Sequence, residues 1–203
     1  MLPLTFRQGI PSGGVAYPAV FVLDEGGRVA QKRIQEHYRA REGAVQLLED
    51  ALGVGAASHG QTQTASTPRV WVSAFADSDS YVRWQKTRLH VVLDVDSGWH
   101  VYGRPVPTGY TPITLVIEPQ SGLQVGEPLY PPARLLKIEG LADQFFVYEG
   151  RGHVTIPIAI NVLAGHGDVM VRITIGHQAC NDVECIPPTE VELEIPLQET
   201  PAA

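Results

Sequence analysis

Cys180 and Cys185 are the only cysteines of the chain, and four residues separate them within HQACNDVECIPP (177–188). Two thiols at this spacing can do three kinds of chemistry. They can open and close a disulfide, moving two electrons through thiolate attack on sulfur. They can form a permanent staple. With His177 they can offer soft ligands to zinc or copper. The metal reading fits the spacing poorly. Residues three apart on a strand point to opposite faces, so His177 and Cys180 diverge unless a bulge intervenes, and two thiolates alone do not close a site. A staple gives little here, since closing so short a loop is worth roughly 2 kcal/mol at best on chain-entropy grounds. A domain of this size has a core that does not depend on it. Redox exchange and a structural disulfide both stay open on the residues alone.

The flanking sequence supplies the elements that must position the pair. Residues 168–176 (DVMVRITIG) and 190–197 (EVELEIPL) alternate apolar and polar side chains, the period of a half-buried strand. An antiparallel hairpin built from them sets the cysteines on opposing strands close to the turn. Facing Cβ atoms there lie about 4.5–5.5 Å apart, which a disulfide needs to tighten only modestly. Asp182 and Glu184 are anionic neighbours, and nothing cationic lies within the motif. The resting thiols are therefore expected to be mostly protonated near neutral pH, with exchange depending on a docked partner.

At 203 residues, with 44% hydrophobic and 18% charged residues, the composition is that of an ordinary globular chain. A formal net charge of −7 argues against a nucleic-acid or anionic-membrane surface. No apolar run approaches the length of a membrane span, and MLPLTFRQGIPSGG lacks the basic start and apolar centre of a signal peptide. Sixteen prolines and twenty glycines suit many short strands and turns. Three segments follow. Residues 1–53 read as a strand at 19–23, a turn at 24–27, a return strand at 28–32 and a helix whose apolar face holds Ala44, Leu47, Leu48, Ala51 and Leu52. Residues 54–68 read as a linker. From about residue 69 to 198, strands are expected near 69–75, 87–95, 99–102, 112–118, 132–138, 145–148, 153–160, 168–177 and 190–197. That spacing predicts an all-β sandwich with Greek-key connections, as in immunoglobulin-like domains.

The third segment resembles the N-terminal periplasmic domain of DsbD-type thiol:disulfide interchange proteins, also called disulfide bond corrector domains. The landmarks are GWHVY (98–102), YPP (130–132), VYEG (147–150) and, most specific, QACNDVEC (178–185) followed by IPP. The resemblance implies an immunoglobulin-like β-sandwich and a protein thiol:disulfide oxidoreductase in which Cys185 exchanges with partners and Cys180 resolves. It implies thioredoxin-fold partners (a disulfide isomerase, a thioredoxin-like reductase or a redoxin) and a periplasmic or otherwise extracytoplasmic location. Such a relay needs no bound cofactor, because the cysteines carry the electrons, and no metal. The alternative is an immunoglobulin-like binding module with a structural disulfide. Residues 1–53 resemble the C-terminal half of a redoxin, a partial thioredoxin-like β-β-α fragment, through AYP (16–18), VFVLD (20–24) and GRV (27–29), with Pro18 as the cis-proline beside its active site. No cysteine precedes Cys180, so this stretch carries no redoxin thiol of its own. A truncated start and a degenerate remnant are both open.

A dithiol left open to water oxidises indiscriminately, so shielding is expected. The related family has a loop with a Phe over the cysteines, which makes Phe145, ahead of Phe146, the candidate cap. The plain reading of the two rings is an ordinary strand with one inside and one outside. Tyr102, Gln178 and Glu184 are candidate borders of the site. Trp99 is expected in the core, His100 on the exposed face opposite it, and His153 and His166 in turns without partners.

Overall fold

The computed structural model describes residues 19–34, 41–42, 60–137 and 144–200. Its strands in chain order are β1 (Ala19–Leu23), β2 (Val29–Ile34), β3 (Arg41–Glu42), β4 (Gln63–Thr67), β5 (Val70–Ala76), β6 (Ser80–Tyr81), β7 (Gln85–Val95), β8 (His100–Tyr102), β9 (Thr114–Ile117), β10 (Leu123–Val125), β11 (Arg134–Lys137), β12 (Gln144–Tyr148), β13 (Arg151–Ile160), β14 (Val169–His177), β15 (Ala179–Cys180) and β16 (Thr189–Glu199). One short 3₁₀ turn, Val162–Ala164, interrupts them. The architecture is all-β, in agreement with the immunoglobulin-like sandwich expected from the resemblance.

The chain divides into two compact units, residues 1–41 and 42–203. In the first, β1 and β2 form the expected antiparallel hairpin around residues 24–27. There the Asp24 carboxylate accepts from the backbone N–H groups of Gly26 and Arg28. A two-stranded hairpin is common to many folds and does not single out a redoxin. Pro18 and the helix expected at 44–52 lie outside the described residues.

The second unit is built from sheets whose alternation buries one face. Strands run β10-β13-β7-β5-β4 in one sheet, β6-β16-β14-β9 in another and β11-β12-β8-β15 in a third. Val70, Val72 and Ala74 of β5, Leu89, Val91 and Leu93 of β7 and Val154, Ile156 and Ile158 of β13 come from the first sheet. They share a core with Val171, Ile173 and Ile175 of β14 and Leu193, Ile195 and Leu197 of β16 from the second. The third sheet contributes Val101 and Ala179 to that same core. Two apolar faces thus meet, which is how a sandwich removes its hydrophobic surface from water.

Several expectations shift. Gln63–Thr67, read as linker from their small polar composition, form β4, an edge strand paired with β5 from Thr67↔Val70 to Gln63↔Ala74. Edge strands need only one apolar face, and here that face is small. His153 lies on β13 opposite Val92, not in a turn, with Nε2 2.9 Å from Nδ1 of the buried His90. The other ring nitrogen of His90 is 2.7 Å from Asp77, and Phe75 stacks on its ring. His166 does lie in a bend, but its Nδ1 is 3.7 Å from a Glu199 carboxylate oxygen. Trp99 is buried in the core as expected, with the Arg69 guanidinium over its ring.

The core residues set the stability. Ile173 is fully buried on β14, so Ile173→Ala is expected to lower unfolding free energy by about 2–5 kcal/mol. Val116 is 58% exposed on β9, and Val116→Ala should cost under about 1 kcal/mol. Urea unfolding of both variants checks the contrast.

Candidate redox site

The site begins where the chain changes sheets. The hairpin expected from 168–176 and 190–197 is present, with β14 and β16 paired from Val169↔Leu197 to His177↔Thr189. At Gln178 the chain leaves β14, and Ala179 and Cys180 pair instead with Val101 and His100 of β8. The Gln178 side chain holds this corner, its Oε1 accepting from the Thr111 N–H at 2.9 Å. Beyond Cys180 the chain reverses. Asn181 Oδ1 accepts from the N–H groups of Val183 and Glu184, both at 2.8 Å, and the Asn181 N–H donates to the Glu184 carbonyl at 2.9 Å. This is an Asx-type turn, the local chemistry for which Asn is favoured. It returns Cys185 to an antiparallel bridge with Cys180, and the Ile186 N–H closes the hairpin on the Ala179 carbonyl at 2.8 Å.

The two sulfurs are bonded at 2.05 Å, with Cα atoms 4.1 Å apart. Their surroundings differ. Cys180 is buried at 1% exposure, whereas Cys185 is exposed. The walls around Cys180 follow from strand periodicity. Val101 and Ala179 face the sandwich core, so their neighbours His100, Tyr102 and Cys180 face the other way. Phe145 and Val147 of β12 join that second face, with Val147 opposite Tyr102. The result is a small second core of Tyr102, Phe145, Val147 and Cys180, with Val106, Tyr110 and Leu136 packed against it. The rings of Tyr102, Tyr110 and Phe145 contact one another at centroid distances of 5.0–5.7 Å, two of the three contacts edge-on.

Phe145, the favoured cap candidate, is fully buried and packs with Cys180 in this second core. Phe146 alternates to the opposite face and is half-buried. Residues 138–143, which precede β12, lie outside the described residues. Tyr102 borders the pair, its hydroxyl 3.9 Å from Cys185 Sγ. Burial, with a smaller contribution from Tyr110, pushes the Tyr102 phenol up to about 12. It is thus a hydrogen-bond donor at every physiological pH. Glu184 is exposed in the turn, with its backbone and not its side chain engaged there.

His100 corrects the sequence reading most. Expected on an exposed face, it is 4% exposed and set edge-on against the Tyr102 ring at 5.2 Å. Its Nε2 is buried without a hydrogen-bond partner, which ordinarily costs about 1–3 kcal/mol. Desolvation lowers the imidazole pKa, opposed by Glu149 and Asp182 and reinforced by Arg134. The exposure expected from alternation against Trp99 fails because the sheet's second face is itself covered. Tyr110, in a Gly/Pro-rich loop, was equally invisible to periodicity. His177 lies away from this cluster, its Nε2 2.9 Å from Thr67 Oγ1. Among the described residues, no three His, Cys, Asp or Glu side chains are grouped to hold a metal ion. None of the described helices is long and apolar enough to cross a membrane.

Comparison with known proteins places this geometry. The family profile described as "Thiol:disulfide interchange protein DsbD, N-terminal" matches residues 73–196. The chain belongs to the DsbD N-terminal family. The matched span of this DsbD N-terminal-type domain runs from β5 into β16 and includes both cysteines. Among solved structures, the domain is similar to the Neisseria meningitidis DsbD N-terminal domain in its reduced form. That match has 22% identity and a TM-score of 0.41, covering 61% of this chain and 82% of that one. It is also similar to the N-terminal periplasmic domain of ScsB from Proteus mirabilis, with 13% identity and a TM-score of 0.48, covering 67% of this chain and 51% of that one. No curated protein matches the chain.

The raised Tyr102 pKa has a measurable consequence. A phenol whose folded pKa lies above its unfolded value of about 10 contributes stability that is full below pH 10 and lost as pH rises towards 12. Tyr102→Phe should flatten the fall in stability across pH 10–12, read from urea midpoints at each pH. An unchanged slope would show that Tyr102 ionises normally.

Proposed function

We propose that the Cys180–Cys185 pair is a reversible disulfide relaying two electrons between thioredoxin-fold proteins through a mixed disulfide on Cys185. The observation that carries this reading is the asymmetry of the pair: an exposed Cys185 bonded to a Cys180 buried in an aromatic wall. Thiol exchange requires in-line access to the sulfur under attack. An incoming thiolate reaches Cys185, Cys180 leaves, and the buried thiol later returns to resolve the intermediate. The Asn181 turn supports this, because it holds both cysteines in register through backbone hydrogen bonds that do not pass through the sulfurs. Membership of a family described as thiol:disulfide interchange proteins points the same way. The partners we infer are a disulfide isomerase, a thioredoxin-like reductase or a redoxin. The location we infer is periplasmic or otherwise extracytoplasmic, the compartment named for the ScsB neighbour. On this reading the exchanging domain includes β4, which pairs with β5, as well as residues 69–198.

Two measurements test the reading. Equilibration against glutathione should give a reduction potential within about −120 to −270 mV, the range of catalytic disulfides. A value below about −300 mV would instead mark a structural staple and favour a binding module. Cys180→Ala should trap thioredoxin-fold proteins as mixed disulfides on Cys185, and Cys185→Ala should trap none.

We infer the shielding role for Phe145 from its packing with Cys180, so Phe145→Ala should speed oxidation of the reduced protein by hydrogen peroxide several-fold, whereas Phe146→Ala should not. Equal rates for both variants and the parent chain would remove Phe145 from that role.

A further inference from the structure

The strand register sets His100 directly opposite Cys180, on the same face of the β8–β15 ladder. Facing side chains in such a pair have Cβ atoms about 4.5–5.5 Å apart. The His100 ring is buried, yet its Nε2 has no hydrogen-bond partner while the disulfide is closed. A disulfide sulfur carries no proton to give to an imidazole lone pair, whereas a Cys180 thiol carries one. We propose that His100 is the proton acceptor for Cys180, taking the thiol proton when Cys180 attacks the mixed disulfide on Cys185. This rests on the exchange reading above.

The step balances with a protein disulfide as the oxidant. Cys185 thiolate first opens the partner disulfide, leaving a Cys185–partner bond and one partner thiolate. The Cys180 S–H then gives its proton to the Nε2 lone pair, and the resulting thiolate attacks Cys185 Sγ. The Cys180–Cys185 bond forms, the Cys185–partner bond breaks, and its electron pair departs on the second partner sulfur. The imidazolium releases its proton to that thiolate or to water. The domain has lost two electrons and the partner has gained them.

The groups around the imidazole suit this role. Burial keeps the ring neutral at rest, so a lone pair is available. Glu149 and Asp182 favour the imidazolium once it forms, Arg134 opposes it, and the Arg134–Glu149 ion pair moderates both. The Tyr102 ring edge and Tyr110 complete the wall, and burial keeps the Tyr102 phenol protonated across the working range of an imidazole.

The test needs no redox partner. In a Cys185→Ala chain the only thiol is Cys180, and its ionisation can be followed by thiolate absorbance and alkylation from pH 6 to 11. Adding His100→Gln should slow alkylation of Cys180 at pH 7 by roughly tenfold or more, through loss of the group that takes the proton. An unchanged profile overturns the proposal. If His100→Gln fails to fold, imidazole ¹⁵N shifts of the parent chain decide instead. His100 Nε2 should move on reduction of the disulfide, and a ring that titrates identically in both redox states refutes the assignment. These readouts leave the exchange reading untouched, since that stands or falls on the reduction potential and the trapped partner.

Discussion

In a β-strand, successive side chains leave on opposite faces, and every property of the site traces back to that constraint at β8 and β15. Val101 and Ala179 are held in the main core by contacts from both principal sheets. With those two residues pinned, His100, Tyr102 and Cys180 have nowhere to go but the other face. A slip of one residue would bury the polar set in the sandwich and expose the apolar one, so the register is strongly specified. The rigid part of the site is therefore Cys180 and its neighbours. The Cys185 arm is attached through the Asn181 turn and through the single bond from Ile186 to Ala179.

This division suits a bond that must break without disturbing the fold. Most of the buried core comes from β5, β7, β13, β14 and β16 and not from the cysteines, so on the proposed exchange opening the disulfide removes little of that burial. The short loop also means that closure constrains little of the unfolded chain, so the oxidised and reduced forms differ modestly in stability on chain-entropy grounds. Gly98 adds a local requirement. The turn into β8 is closed by the Trp99 N–H on the Asp96 carbonyl and places Gly98 at φ +79°, a conformation costly for a residue with a Cβ. That turn sets where β8 starts, and hence which side chains oppose the cysteines.

Much of this was legible in the residues. The long strands β5, β7, β13, β14 and β16 carry enough alternating positions to declare themselves, and the observed limits differ from the expected ones by a residue or two. The cysteine hairpin was legible from its flanks. The failures share a cause. β4, β6, β10 and β15 are short or edge strands, whose pairing is decided by neighbours distant in sequence and not by their own period. The position of His100 was misjudged because alternation tells which face a residue occupies but not whether that face is covered. Here it is covered by Phe145 and Tyr110, one from a distant strand and one from a loop. Gln178 was named for the motif it belongs to, whereas its structural part is to fix the sheet-to-sheet corner.

On the proposed exchange, the placement of the two cysteines also sets which of them can react first. Cys185 sits in water among exposed Asp182 and Glu184, whose repulsion of a thiolate is real but screened, and beside a phenol that always donates. Cys180 sits where a thiolate would be stripped of water, so its charge is costly until a neighbour takes the proton. The exposed sulfur is consequently the one able to start an exchange, and the buried one can act only after the first bond has formed. On the proposed exchange, a docked partner that excludes water from Cys185 would strengthen the Tyr102 hydroxyl's hold on sulfur. Selectivity would then come from the shape that brings a partner's disulfide into line with Cys185, not from a thiol made generally reactive.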